Sequence, residues 1–133
     1  ADKQMTNGGL KHKATKIFKI GGHLVGVTGD FDYAQAMLEW FRNGAKPESF
    51  PDHQKEDSKF VGMLVITPAG QLLKYERSPY PIDYTESGVA CIGSGRDYAY
   101  GALYMGATAY RAVEAACQYD THCGMGIDVL TLD

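Results

Sequence analysis

Residues 15–29 narrow the fold more than any other stretch of this chain. Thr15, Lys16, Ile17, Phe18, Lys19 and Ile20 mix polar with β-branched and aromatic side chains in alternation. After Gly21-Gly22 comes a second such run, His23, Leu24, Val25, Gly26, Val27, Thr28 and Gly29. Two extended runs joined by a glycine pair fold back as an antiparallel hairpin, because the two-residue loop asks for positive φ at both positions. A second hairpin pattern follows at residues 60–67 and 71–77, around Pro68-Ala69-Gly70. Strands that arrive in adjacent pairs argue against a βαβ alternation and its parallel sheet.

Between the hairpins, Tyr33, Ala34, Met37, Leu38 and Phe41 recur at helical spacing, which predicts a helix over residues 33–42. Asp30 or Asp32 supplies its cap and Asn43-Gly44 its end. Residues 45–58 hold Pro47, Pro51 and many charges and read as an exposed loop. Val89, Ala90, Cys91 and Ile92 read as a short buried strand leading into Gly93-Ser94-Gly95. Residues 96–119 are rich in Ala and Tyr, with Gly101 and Gly106 marking either close helix packing or a break into two helices. Residues 125–132 read as a final strand. The order of elements is that of an α+β domain spanning 1–133, with two antiparallel sheets and helices outside them.

Bulk properties remove several function classes. The formal net charge is −3, and Lys11, Lys13, Lys16 and Lys19 are too sparse for a phosphate track, so no nucleic-acid role is expected. No apolar run approaches the roughly 20 residues that span a bilayer, so no membrane role is expected. Residues 1–4 lack the apolar core of a signal peptide, and with Cys91, Cys117 and Cys123 odd in number, a reducing cytoplasm with free thiols is expected. His12, His23, His53 and His122 are scattered, and neither metal nor cofactor is expected.

Four features could carry chemistry, and each has a plainer reading. Gly93-Ser94-Gly95 opens a helix whose free N–H groups could hold a developing oxyanion, or is simply a helix start. The nearby pattern is neither a dinucleotide fingerprint nor a phosphate loop, since Tyr98 stands where the last glycine belongs and no Gly-Lys-Ser/Thr follows. Lys16 is a solvated strand lysine or a buried one held near carboxylates. Asp2 and Asp120 are end caps or members of a site. Cys123 is a small buried hydrophobe or a reactive thiol.

Five blocks in order resemble the proteasome β subunits and the bacterial HslV-type peptidases. They are Ala1-Asp2-Lys3-Gln4-Met5-Thr6, residues 14–20, Val27-Thr28-Gly29, residues 92–99 and residues 119–129, the last holding Asp120, Cys123, Gly124 and Asp128. The resemblance implies an N-terminal-nucleophile (Ntn) hydrolase: a four-layer αββα sandwich, here without its first strand, that hydrolyses peptide bonds with an N-terminal threonine. By the same resemblance Asp2 holds the catalytic lysine, Lys16 is that lysine, and Gly29 offers its N–H to the oxyanion. Ser94 and Asp120 complete the hydrogen-bond network, and Cys123 stands where serine is usual. Val27, Thr28 and Phe31 fall at the substrate pocket.

The implied partners are a peptide or protein substrate, further copies in a homo-oligomeric ring, and an ATPase unfoldase. The tyrosines of residues 98–110 suit either subunit packing or packing within the chain. Residue 1 is alanine, without a hydroxyl, so the resemblance places the nucleophile on a strand upstream and implies that the chain as it stands is inactive. A non-catalytic ring subunit and a small-amide hydrolase of the same class are the alternatives.

Overall fold

The computed structural model describes residues 1–52 and 61–132. Its main sheet grows from the glycine-joined hairpin. Strand β3 (Ile17–Ile20) pairs antiparallel with β4 (His23–Gly29), with Ile20 opposite His23 and Ile17 opposite Gly26. Gly21 and Gly22 take φ of 55° and 80°, the conformation the loop demands. The chain adds β5 (Val61–Ile66), β6 (Leu72–Tyr75) and the two-residue β7 (Ile82–Asp83), giving a five-stranded antiparallel sheet in chain order.

A smaller antiparallel sheet precedes it. Strand β1 (Gln4–Asn7) pairs with β2 (Leu10–Lys13) across Gly8-Gly9. Sequence reading missed this pair for a physical reason: all four β2 side chains are exposed, so no buried face imprints an alternation.

Helix α1 (Phe31–Arg42) begins at Asp30, whose carboxylate accepts from the Asp32 and Tyr33 N–H groups at 3.1 and 3.3 Å. Its Ala34, Met37, Leu38 and Trp40 are buried against Val25 and Val27 of β4, Met63 and Val65 of β5, and Tyr75 of β6. Trp40 also donates its indole N–H to the Lys46 carbonyl at 2.8 Å and stands edge-on to Phe50 and Tyr75. Residues 45–52 contain a 3-10 turn at Pro47–Ser49, and the rest of the expected loop, with the first residue of the 60–67 strand, lies outside the described residues.

Strand alternation puts Gly26, Thr28, Gly62 and Leu64 on the face of the sheet away from α1. That face looks toward a helical hairpin, α2 (Arg96–Tyr104) and α3 (Ala109–Tyr119). The break falls at Gly106, where φ is 94°, and Thr108 caps α3 by accepting the Arg111 N–H. Gly101 sits mid-helix with open space where a Cβ would be, so close packing does not explain it.

Two expected strands are absent. Residues 89–92 form an irregular connector, with Ala90, Cys91 and Ile92 half-buried. Residues 125–132 contribute one antiparallel bridge, Ile127 with Asp2, beside which Ala1 and Asp128 exchange both backbone bonds at 2.8 Å. Positive φ at Met125 and Gly126 turns the chain out of an extended course, and a ladder also needs a neighbouring strand. The result is two antiparallel sheets flanked by helices, the α+β class expected.

Candidate active site

The site begins where the two sheets meet. Lys16, just ahead of β3, passes its carbonyl to the Val27 N–H and turns its ammonium inward to Asp2 Oδ1 at 2.9 Å. The side chains are only 23% and 12% exposed, so the solvated-lysine reading is excluded. The other Asp2 oxygen accepts two backbone N–H groups, from Gln4 at 3.1 Å and Gly124 at 3.0 Å. A carboxylate with three donors is fixed in orientation, and it fixes the ammonium in turn.

The Gly124 bond carries the ion pair to the turn after α3. There Asp120 accepts from the His122 N–H at 2.9 Å and from the Cys123 thiol at 3.5 Å. The His122 N–H, then Ser94, hold the Asp120 carboxyl below its ordinary value. Cys123 Sγ stands 4.0 Å from Ser94 Oγ. Burial first, then the charges of Asp2 and Asp120, push the thiol up to about 11. Both influences favour the protonated thiol, which counts against the reactive-nucleophile reading.

Glycine makes this closeness possible. A Cβ on Gly95 would lie 2.8 Å from both Ala116 Cβ and Cys123 Sγ and 3.4 Å from Asp120 Oδ2. The start of α2 and the end of α3 touch only because that carbon is missing.

Two adjoining clefts share Lys16, Val27, Thr28, Ser94 and His122 in their walls. One, of about 260 Å³, separates the sheet face at Ile17, Gly26 and Leu64 from Ala99, Leu103, Ala112 and Ala116 of the helical hairpin, with Asp2 and Cys123 also in its lining. The other, of about 320 Å³, is walled by Gln4, Thr6, Ala14, Gly29 and Phe31. Phe31 is half exposed there, and Val27 is buried. Of the residues singled out from sequence, Asp2, Lys16, Ser94, Asp120 and Cys123 converge. Gly29, with φ of 107°, and Phe31 line the second cleft, whose walls also include Lys16 and Ser94 of that cluster, while Val27 and Thr28 border both clefts.

Sequence reasoning gave no role to Gln4 or His122. Gln4 was open to discovery, since it stands two residues after Asp2, just where β1 begins, and an extended course puts the two on one face. Nothing local marks His122. Among the described residues, no group of three His, Cys, Asp or Glu side chains could hold a metal, and no helix is long and apolar enough to cross a membrane.

No sequence-family model matches the chain, and no curated protein matches it. Solved structures do. A Thiobacillus denitrificans protein described as BPH superposes with a TM-score of 0.72 at 20% identity, over 100% of this chain and 91% of that one. It has also been solved in complex with epoxomicin. HslV from Trypanosoma brucei gives 0.69 at 20% identity over 92% and 85% of the two chains. Anbu, an ancestral β-subunit from Yersinia bercovieri, gives 0.71 at 10% identity over 94% and 72%. The chain thus has the HslV-like, proteasome β-subunit fold.

Proposed function

We propose that this chain is the body of a threonine-type peptidase of the Ntn-hydrolase class, which hydrolyses peptide bonds with a threonine supplied by a strand upstream of Ala1. One observation carries the reading: the Lys16–Asp2 pair, at 2.9 Å and largely buried, stands on the wall of a cleft that also holds Ser94. A scaffold has no chemical need for an ammonium so placed, whereas its field favours the deprotonated form of a neighbouring nucleophile.

In this mechanism the threonine oxygen bonds to the substrate carbonyl carbon while its proton passes to the residue's own α-amine. The tetrahedral intermediate collapses, the C–N bond breaks, and the leaving amine takes that proton. Water then attacks the acyl ester with the same amine as base, releasing the acid and restoring the hydroxyl. Asp2 orients Lys16, Ser94 and Asp120 order the amine, and the Gly29 N–H faces the oxyanion. Cys123 replaces a stronger hydrogen-bonding hydroxyl. Val27, Thr28 and Phe31 border the cleft assigned to the substrate side chain. A homo-oligomeric ring, an ATPase unfoldase and a cytoplasmic setting belong to the same proposal.

A non-catalytic ring subunit is the second reading, favoured by the 4.0 Å Cys123–Ser94 contact, a weak link in such a network. The test is the chain extended upstream by a strand that begins with a free threonine, assayed on short fluorogenic peptides and for epoxomicin binding. Cleavage that disappears in Lys16→Met supports the peptidase. An extended protein that neither cleaves peptides nor binds epoxomicin leaves the ring subunit, and cleavage of small amides alone indicates the amidase.

A further inference from the structure

Gln4 is the one buried polar or charged side chain among the described residues, at 3% exposure. Its surroundings are unusual, because apart from the half-buried Met5 the hairpin it belongs to buries no other side chain. In β1 the pattern runs from buried Gln4 to exposed Asn7, and every β2 side chain is exposed. Apolar burial therefore contributes little to docking this hairpin, and polar contacts, the Gln4 amide among them, carry most of it.

Both amide hydrogens are used. Nε2 donates to Thr6 Oγ1 at 3.1 Å and to the Thr121 carbonyl at 3.0 Å. The amide oxygen lies against Gly124, where an added Cβ would be 2.9 Å from it. Two residues earlier on the same face, Asp2 takes the Gly124 N–H. The backbone N–H of Lys3 adds bonds to the Gly124 and Gly126 carbonyls at 3.0 Å each, so the far end of the turn is held by Asp2 and Lys3 while its near end, Thr121, is held by Gln4, and between them lie His122 and Cys123.

We infer that Gln4 is a positioning residue of the proposed active site: its buried amide, bonded at Thr121, clamps the near end of the Asp120–Gly124 turn onto the N-terminal segment that bears Asp2. The inference rests on the peptidase reading for its purpose, but its geometry does not. Glutamine suits the place because it offers two hydrogens and one acceptor without charge. Glutamate keeps the shape, loses both donors at neutral pH and turns an anion on the Thr121 carbonyl. Methionine keeps the length and leaves that carbonyl unpaired, a loss charged in full when the group is buried.

Cys123 reports on the clamp. It faces Asp2, Asp120 and Ser94, with Lys16 and His122 on the adjoining walls. The experiment measures the pH profile of iodoacetamide alkylation at each cysteine by peptide mapping, in the wild-type chain, Gln4→Glu and Gln4→Met. In both variants Cys123 should react about tenfold faster at neutral pH, the scale of one lost buried partner, with its midpoint moved down toward an ordinary thiol. Cys91, on the connector before α2, should be unchanged, because a local release of the turn after α3 does not extend to it. Unchanged Cys123 overturns the inference, and so does equal acceleration of all three cysteines in both variants. In the threonine-bearing chain, kcat should fall with the Cys123 change. If that chain cleaves no peptide, the peptidase reading fails while the alkylation result still decides the clamp.

Discussion

Replacing Gly95 with alanine tests whether the close approach of α2 to α3 holds the site together. The backbone at Gly95, φ −89° and ψ 7°, lies in the bridge region that alanine can enter, so the added carbon's contacts rather than a positive φ set the cost. The new Cβ would meet Ala116 Cβ and Cys123 Sγ at 2.8 Å each. Carbon contacts settle at about 3.5–4.0 Å, so the two helix ends must part by about 1 Å. Ala116 offers no rotamer with which to yield. Overpacking of this kind costs about 1–3 kcal/mol, and for a chain of this size each kcal/mol lowers Tm by about 3–5 °C.

Gly101→Ala is the matched control. It adds the same methyl to the same helix, meets nothing within 4 Å, and gains about 1 kcal/mol of helix propensity. Thermal unfolding followed by circular dichroism should therefore move in opposite directions for the two variants. In the threonine-bearing chain only Gly95→Ala should lower kcat, since it moves Asp120 and Cys123 away from Ser94. Equal Tm values for Gly95→Ala and wild type would refute the packing argument.

Four other outcomes are expected. Lys16→Met leaves a nearly buried carboxylate without its cation and should cost about 1–3 kcal/mol in chemical denaturation, less than the 3–5 of a fully buried pair because both side chains keep some solvent. Met37→Ala, at a fully buried position, should cost about 2–5 kcal/mol by the same measurement. Stability should decline as pH rises from 9 to about 11, because the unfolded Cys123 thiol releases its proton first and the folded state binds more protons across that window. Cys123→Ala should flatten this decline relative to wild type. Asp120, held low in the fold, contributes stability above the ordinary carboxylate value that is lost only as pH falls through its depressed one, and Asp120→Asn should remove that acid limb.

Much of the fold was legible because its signals are local. A glycine pair specifies a two-residue hairpin by its dihedrals, and the spacing of Met37 and Leu38 specifies a helix by its period. The blocks around Asp2, Lys16, Ser94 and Asp120 were visible as patterns, so the site could be named as a set. Exposed β2 was invisible because it buries no face, and residues 125–132 misled because a strand exists only in relation to a partner.

The sequence alone thus determined the two hairpins of the main sheet, the first helix and the set Asp2, Lys16, Ser94, Asp120 and Cys123, though not Gln4 or His122 beside them. Tertiary structure alone decided which way Lys16 points, since alternation distinguishes two faces without saying which is buried. It also decided the grip of Asp2 on Gly124, 122 positions away, and the need for an absent Cβ at Gly95. Those are contacts between segments remote in the chain, and no local period or dihedral preference encodes them.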